Sequence, residues 1–297
     1  MSKKIELKGV IPPVVTPFVD GEVSLEKYEE NLNRWCEVGI TGFLVLGSNG
    51  EAVHLTEEEK LALVEKTAAT VPDDKPVIVG SGCLTTIETI ELTNKAAAKG
   101  AQAALIITPF FYSDAMNRDA LLAHYTEIAD KADIPIMLYN VPKYTNVVIP
   151  PEVVVELSKH ENIIGMKDSS GNIAYLSRII DVTPDDFDVM VGTANAFLAG
   201  LVLGVRGGIL ALANTAPKEC LQIYSLFKQG KLDEAKELQL KMVPVNQAVT
   251  ARFGIAGLKA AMDMVGFYGG IPRKPLLPLK TEEKMELKAI LQGAGLI

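Results

Sequence analysis

Lys167 closes the apolar run Ile163-Ile164-Gly165-Met166 and is followed by Asp168-Ser169-Ser170. A lysine at the end of a buried run sits among apolar walls, where desolvation disfavours the ammonium and lowers its pKa. The neutral amine is a nucleophile towards a ketone and forms a Schiff base with it. The iminium is then an electron sink for a carbanion equivalent on the neighbouring carbon, so a carbon–carbon bond can be made or broken without a metal. The plain structural alternative is that Lys167 pairs with Asp168 or Glu51. Tyr139 ends the run Pro135-Ile136-Met137-Leu138 in the same way. A phenol there can pass a proton if a relay holds its hydroxyl, but a core tyrosine with a satisfied hydroxyl has the same signature. Ser48 and Asn49 lie between Gly47 and Gly50. Such a turn either aims backbone N–H groups at a carboxylate or is a tight connection whose glycines supply its dihedrals. The turn 204–208 (GVRGG) is a weaker candidate for cradling a phosphate.

These residues need a scaffold that brings them together. Short apolar runs at 9–18, 42–47, 76–80, 103–109, 135–139, 163–167, 187–192 and 208–212 read as strands. Each is followed by a segment of helical period, at 25–38, 57–71, 86–99, 118–132, 151–159, 173–182, 194–203 and 217–228. Thr56 followed by Glu59 predicts a capping box at the start of the second helix. The strands are near-continuously apolar, the pattern of a parallel sheet buried on both faces. Eight such units with short connections predict an α/β fold, a (β/α)8 TIM barrel. A doubly wound sheet binding a dinucleotide would need a GxGxxG turn after its first strand, where this chain has Pro12, Pro13 and Pro17. Beyond Gly230 the alternation stops, and 232–241, 247–252, 257–264 and 282–292 read as helices. The expected organisation is a barrel over 1–230 and a helical extension over 231–297 packed on it. In such barrels the active site lies at the C-terminal strand ends. Here those ends carry GSNGE (47–51), PFFY (109–112), YNVP (139–142), KDSSG (167–171) and Gly192-Thr193.

Composition narrows the function classes. Of 297 residues, 48% are hydrophobic and 22% charged, which excludes disordered, collagen-like and rod-like chains. Lys plus Arg number 29 against 37 Asp plus Glu, a net charge of −8, which gives no support to nucleic-acid binding. No apolar run reaches the ~18 residues that span a bilayer. The first eight residues, with Lys3 and Lys4 but no apolar stretch, do not read as a signal peptide. Cys36, Cys83 and Cys220 form no close pair and read as reduced thiols of a cytoplasmic protein. His54, His124 and His160 show no metal-ligand spacing.

Taken together, GSNGE, YNVP and GMKDSSGN (165–172) resemble the dihydrodipicolinate synthase / N-acetylneuraminate lyase superfamily over nearly the whole chain. The resemblance implies a class I lyase with no cofactor, which takes pyruvate or another 2-oxo acid as a Schiff base on Lys167. It implies Tyr139 as the proton-relay phenol, Ser48 as a relay hydroxyl and Asn49 as a carboxylate contact, with Gly47 in the same turn. Gly192 and Ile209 are implied as contacts to the bound adduct. A second relay tyrosine, contributed by a neighbouring subunit after the fourth strand, falls on Tyr112, with Phe111 the alternative alignment. The resemblance also implies a homotetramer built from two dimers, which the Tyr112 relay would require. Within the superfamily, GSNGE, GMKDS and the segment 249–259 look like 4-hydroxy-2-oxoglutarate aldolases, and GSNGEAVHLT is similar to 3-deoxy-hexulosonate aldolases. Both cleave a 4-hydroxy-2-oxo acid to pyruvate and an aldehyde. Dihydrodipicolinate synthases usually carry GTTGE, and an arginine shortly after YNVP that holds the second substrate's carboxylate. Here Lys143-Tyr144-Thr145 follows Pro142. The expected activity is therefore aldol cleavage, with condensation of pyruvate and aspartate semialdehyde as the alternative. Arg252 is expected either to meet a distal substrate carboxylate or to pair with a surface acid.

Overall fold

The apolar runs become strands wherever turn chemistry on either side lets them pair. The computed structural model describes Ile5 and residues 7–297, so the reading of residues 1–4 lies outside the described residues. The strands are β1 (Gly9–Ile11), β2 (Phe18–Val19), β3 (Glu22–Val23), β4 (Phe43–Val45), β5 (Val77–Val79), β6 (Ala103–Ile107), β7 (Ile136–Asn140), β8 (Ile163–Asp168), β9 (Asp188–Val191) and β10 (Gly207–Ile209). All but β2 and β3 form one parallel sheet in the order β1-β10-β9-β8-β7-β6-β5-β4. The sheet closes where β1 runs on beside β4. Leu44 N–H donates to the Pro12 carbonyl (3.0 Å), and Val14 N–H donates to the Leu44 carbonyl (2.9 Å). Pro12 and Pro13 have no N–H to give, and the seam uses only the carbonyl of the one and the N–H of the residue after the other.

Period two sorts the strand side chains into two cores. Ile11, Leu44, Ile78, Leu105, Met137, Met190 and Ile209 point inward and fill the barrel, with Leu7 packed among them. Their neighbours, such as Val10, Phe43, Val79, Ile106, Leu138 and Val191, point outward into the larger core beneath the helices. This is the filled interior expected of a (β/α)8 barrel rather than a pore.

The helices are α1 (Leu25–Val38), α2 (Glu57–Thr70), α3 (Thr86–Ala98), α4 (Arg118–Lys131), α5 (Pro142–Thr145), α6 (Pro151–Leu157), α7 (Ile173–Val182), α8 (Phe197–Leu203), α9 (Pro217–Lys228), α10 (Leu232–Gln247), α11 (Gly254–Met264) and α12 (Thr281–Gly293). Side-chain caps start many of them, and the capping box forms as expected. Glu59 N–H donates to Thr56 Oγ1 (3.2 Å), and Thr56 N–H donates to Glu59 Oε2 (2.9 Å).

Three differences from the sequence reading bear on the fold most. The run 9–18 is not one strand: after the seam it turns into the antiparallel pair β2–β3. Asp20 and Gly21, both at positive φ (52° and 87°), form its two-residue turn, a hairpin signal that an Asp-Gly pair already carries. Helix α10 passes Lys241 and Pro244 and reaches Gln247, and a π-turn over Ala248–Arg252 follows. Proline removes one helical donor there, but Met242, Val245, Ala248 and Val249 stay in the common core, and their burial carries the helix on. Finally, 204–208 lies at the N-terminal side of β10, opposite the end where Lys167 sits. Gly204 caps α8 at φ 110°, and a side chain at Gly207 would collide with the Gly9 backbone. These glycines serve helix capping and strand packing.

Among the described residues no helix is long and apolar enough to cross a membrane. The helices after Gly230 lie on the barrel: α10 packs on α9 and α8, and α11 and α12 share the common core.

Candidate functional site

The register of two strands brings the reactive side chains together. In β7 and β8, Tyr139 pairs with Lys167 and Asn140 with Asp168. Directly paired residues share a sheet face, so Tyr139 and Lys167 both point into the barrel near its C-terminal mouth. Asn140 and Asp168 point the other way. The register shifts lower down: Ile136 pairs with Ile163 but Met137 with Gly165, which leaves Ile164 as an extra residue. Without that bulge Lys167 would stand opposite Asn140 and face the helices. Gly165, next to the extra residue, lets β9 approach on the other side, where a Cβ would lie 2.2 Å from the Asp188 carbonyl oxygen.

Lys167 is buried, 4% exposed, and its Nζ lies 4.4 Å from the centre of the Tyr139 ring. Neither expected carboxylate pairs with it. Asp168 Oδ1 accepts from Asn140 Nδ2 (2.7 Å) and its Oδ2 from Ser170 Oγ (2.8 Å). Glu51 is held by Lys259 (2.7 Å). Burial raises the Asp168 pKa, only partly offset by those hydrogen bonds. Asp168 thus orders the turn after Lys167 rather than neutralising the amine.

The Tyr139 phenol is shifted below its ordinary range. Burial, the largest single influence, pushes it up, but the Lys167 charge and the groups of Ser169, Ser48 and Lys167 beside its oxygen together outweigh that. A phenol so placed can release and recover a proton more readily than one in water.

Ser48 enters from the loop after β4. Leu46 and Glu51, at φ 60° and 55°, bracket a 3-10 turn over Ser48–Gly50. Such conformations are disfavoured for residues with a Cβ and persist only where surroundings hold them. The turn's own bonds use the N–H groups of Gly50 (to Gly47 O, 2.9 Å) and Glu51 (to Ser48 O, 3.3 Å). The leading N–H groups of Ser48 and Asn49 lie outside that pattern, as at any helix start.

Gly192 follows β9 directly and donates its N–H to the Asp168 carbonyl (2.6 Å). A Cβ on it would lie 1.8 Å from Ser169 Oγ and 3.0 Å from Lys167 Cε. Gly192→Ala is expected to lower kcat/KM on the order of 10²-fold, since a misplacement near 1 Å has that effect. Ser169 can rotate away, so the melting temperature is expected to change little; a substantially active Gly192→Ala variant would contradict this placement. Ser169, given no role from sequence, is the residue that reasoning missed. Its Oγ is buried without a well-formed hydrogen bond, and its position two residues after a strand-end lysine, on the same side of the turn, was the available signal. Ile209, fully buried at the end of β10, belongs to the inner core.

Tyr112 is not brought to Tyr139 within one chain. It is 73% exposed and stacks edge-on against Phe111, itself 70% exposed, with ring centres 5.0 Å apart. Arg252 pairs with Glu286 of α12, the surface alternative. Lys143 Nζ donates to the Thr250 carbonyl (3.0 Å), which joins the loop after β7 to the π-turn. A cleft of about 320 Å³ opens beside Ser169, lined by Ser170, Gly171, Thr193, Asn195 and Ala196, with no charged side chain. A larger one, about 870 Å³, lies around Lys8, Asp188 and Arg206 at the N-terminal strand ends, away from these groups.

Residues 6–294 match the Dihydrodipicolinate synthetase family. The chain is 36% identical over 286 residues to the 4-hydroxy-tetrahydrodipicolinate synthase of Methanothrix thermoacetophila, covering 96% of each chain. It superposes on the dihydrodipicolinate synthase of Bacillus anthracis with a TM-score of 0.93 at 32% identity, covering 97% of this chain and 98% of that one. It also superposes on an Escherichia coli K12 prophage protein of the dihydrodipicolinic acid synthase family, solved in complex with pyruvate, with a TM-score of 0.91 at 28% identity and coverage of 98% and 99%. A barrel with a buried lysine and a phenol paired across adjacent strands, matched from end to end, places the chain in the dihydrodipicolinate synthetase family as a carbon–carbon lyase of the Schiff-base type.

Proposed function

We propose that the chain adds pyruvate, held as an enamine on Lys167, reversibly to an aldehyde. The observation that supports this most is the buried Lys167 amine 4.4 Å from the ring of a phenol it acidifies. The 2-oxo acid's carboxylate rests on the turn at Gly47, Ser48 and Asn49. Lys167, freed of a proton by the Tyr139 phenolate, forms a C–N bond to the ketone carbon, and the ketone oxygen leaves as water with one proton from the amine and one returned by Tyr139, giving the iminium. In cleavage, Tyr139 takes the C4 hydroxyl proton, the C3–C4 bond breaks, and its electron pair passes into the enamine as the aldehyde departs. The enamine is protonated at C3, and water then releases pyruvate and Lys167. In condensation the Tyr139 phenolate takes a C3 proton from the iminium to give the enamine, the enamine carbon attacks the aldehyde, and Tyr139 returns that proton to the new alkoxide. Ser48 passes protons to and from Tyr139, and Tyr112 does so from a second copy in a dimer of dimers. Gly192 and Ile209 line the adduct.

Two reactions remain, each with its own support. The names of the relatives favour condensation with aspartate semialdehyde, and this reading has the wider support. The segment after Asn140 favours cleavage of a 4-hydroxy-2-oxo acid: its short helix α5 carries Lys143 and Tyr144 rather than an arginine, and Thr250 engages Lys143. A parallel assay separates them, with pyruvate consumption measured in the presence of aspartate semialdehyde and pyruvate release measured from 4-hydroxy-2-oxoglutarate and from 3-deoxy sugar acids. A kcat/KM at least about tenfold higher for the condensation, a difference of ~1.4 kcal/mol in the barrier, assigns the synthase. The reverse ratio assigns the aldolase. Turnover of none of them overturns both.

A further inference from the structure

Glu51 and Lys259 are buried even more completely than Lys167, at 2% and 0% exposure, and they bond to each other. Lys259 stands in α11, beyond the last barrel strand, and its Nζ donates to Glu51 Oε1 (2.7 Å) and to the Ile271 carbonyl (3.2 Å). The other carboxylate oxygen, Oε2, accepts from Arg273 N–H (2.9 Å) and lies 3.4 Å from His54 Nδ1. The Phe18 ring sits 4.3 Å from Lys259 Nζ and 4.4 Å from the Arg273 guanidinium carbon. Glu51 is therefore gripped on both oxygens from the C-terminal extension.

Glu51 is also the residue that ends the Ser48–Asn49 turn. Its N–H donates to the Ser48 carbonyl, and its backbone holds the left-handed conformation that side-chain contacts must sustain. Gly50, between them, accepts at its carbonyl from Thr16 Oγ1 (2.7 Å).

Desolvating an ion pair offsets most of its attraction, and apolar residues of similar volume often do as well for stability. What charge and hydrogen bonds add here is a fixed position for a short, strained turn. We propose that Lys259 is a positioning residue for the reaction: through Glu51 it holds the turn, and with it the Ser48 hydroxyl, in register with Tyr139. This rests on the reading of Lys167 and Tyr139 given above.

The test compares wild type, Lys259→Met and Lys259→Arg in three measurements: borohydride labelling with pyruvate, steady-state kinetics, and the pH profile of kcat. The ionisable groups facing Tyr139 are Lys167 and Tyr144, and those facing Lys259 are Glu51, Asp263 and Arg273. Wild type and Lys259→Met are both expected to label at Lys167. In Lys259→Met, kcat is expected to fall on the order of 10²-fold. Its rising limb should move to higher pH, because the phenolate loses the support of Ser48. Lys259→Arg, which keeps charge and donors, is expected to recover most of both. Labelled wild type together with an unmoved limb and an unchanged kcat in Lys259→Met overturns the inference, whatever the variant's stability. An unlabelled wild type overturns the reading of the site and this inference with it. Should Lys259→Met not fold, Glu51→Gln replaces it: a smaller shift in the same direction supports the proposal, and an unmoved limb overturns it.

Discussion

Lys167→Ala is expected to abolish borohydride-dependent labelling by pyruvate and to lower turnover roughly 10⁴- to 10⁶-fold, the loss seen when a covalent nucleophile is removed. Lys167 is the amine that acts on the phenol, through its charge and a hydrogen bond. The barrel should survive. Exchanging a buried amine for an apolar side chain is often neutral for stability, and Lys167→Met, closer in volume, serves as the control. Its unfolding midpoint is expected within about 4 °C of wild type, the shift that ~1 kcal/mol produces in a chain of this size. A second signature needs no substrate. The Lys167 charge draws the Tyr139 pKa down, so its removal moves the phenol upward. The difference in phenolate absorbance between wild type and Lys167→Met should therefore appear at alkaline pH, with wild type ionising first. Labelling that persists in the variant, or falls on another lysine, would end the assignment.

Tyr139→Phe is expected to slow turnover by about 10²- to 10⁴-fold, the usual contribution of a positioned acid–base group. The ring, which packs beside Lys167 Nζ, remains, so labelling of Lys167 by pyruvate should persist even as carbon–carbon bond cleavage slows. The pH dependence separates this loss from a packing defect. As the base, the phenolate makes kcat rise with pH through its pKa, which lies below the ordinary phenol range. In Tyr139→Phe that limb should vanish, leaving a flatter profile. A variant that keeps the limb, or loses labelling as completely as Lys167→Ala, would reassign the proton carrier.

Much of the architecture could be read from pattern. Apolar runs of strand length alternating with helical periods specify a parallel sheet buried on both faces, and eight of them close into a barrel. The box at Thr56 and Glu59 was legible because capping needs only two residue types at a fixed spacing. The extent of the first strand was not. Pairing ends where Pro12 and Pro13 meet β4, and an Asp-Gly turn diverts the chain into a hairpin. The length of α10 was hidden by Pro244, because a local breaker can be outweighed by burial that only packing reveals.

At the site, residue type was enough to single out Lys167, Tyr139 and the Ser48–Asn49 turn, because few side chains can form an iminium, pass a proton or expose backbone donors at a strand end. Their meeting was decided in three dimensions. One extra residue in β8, Ile164, reverses the alternation of that strand, turning Lys167 inward beside Tyr139 and Asp168 outward to Asn140. The partner of Glu51 was equally out of reach of local pattern: it comes from α11, 208 positions along the chain. Strand phase and long-range pairing are set by bulges and by packing between distant segments, and spacing along the chain carries neither.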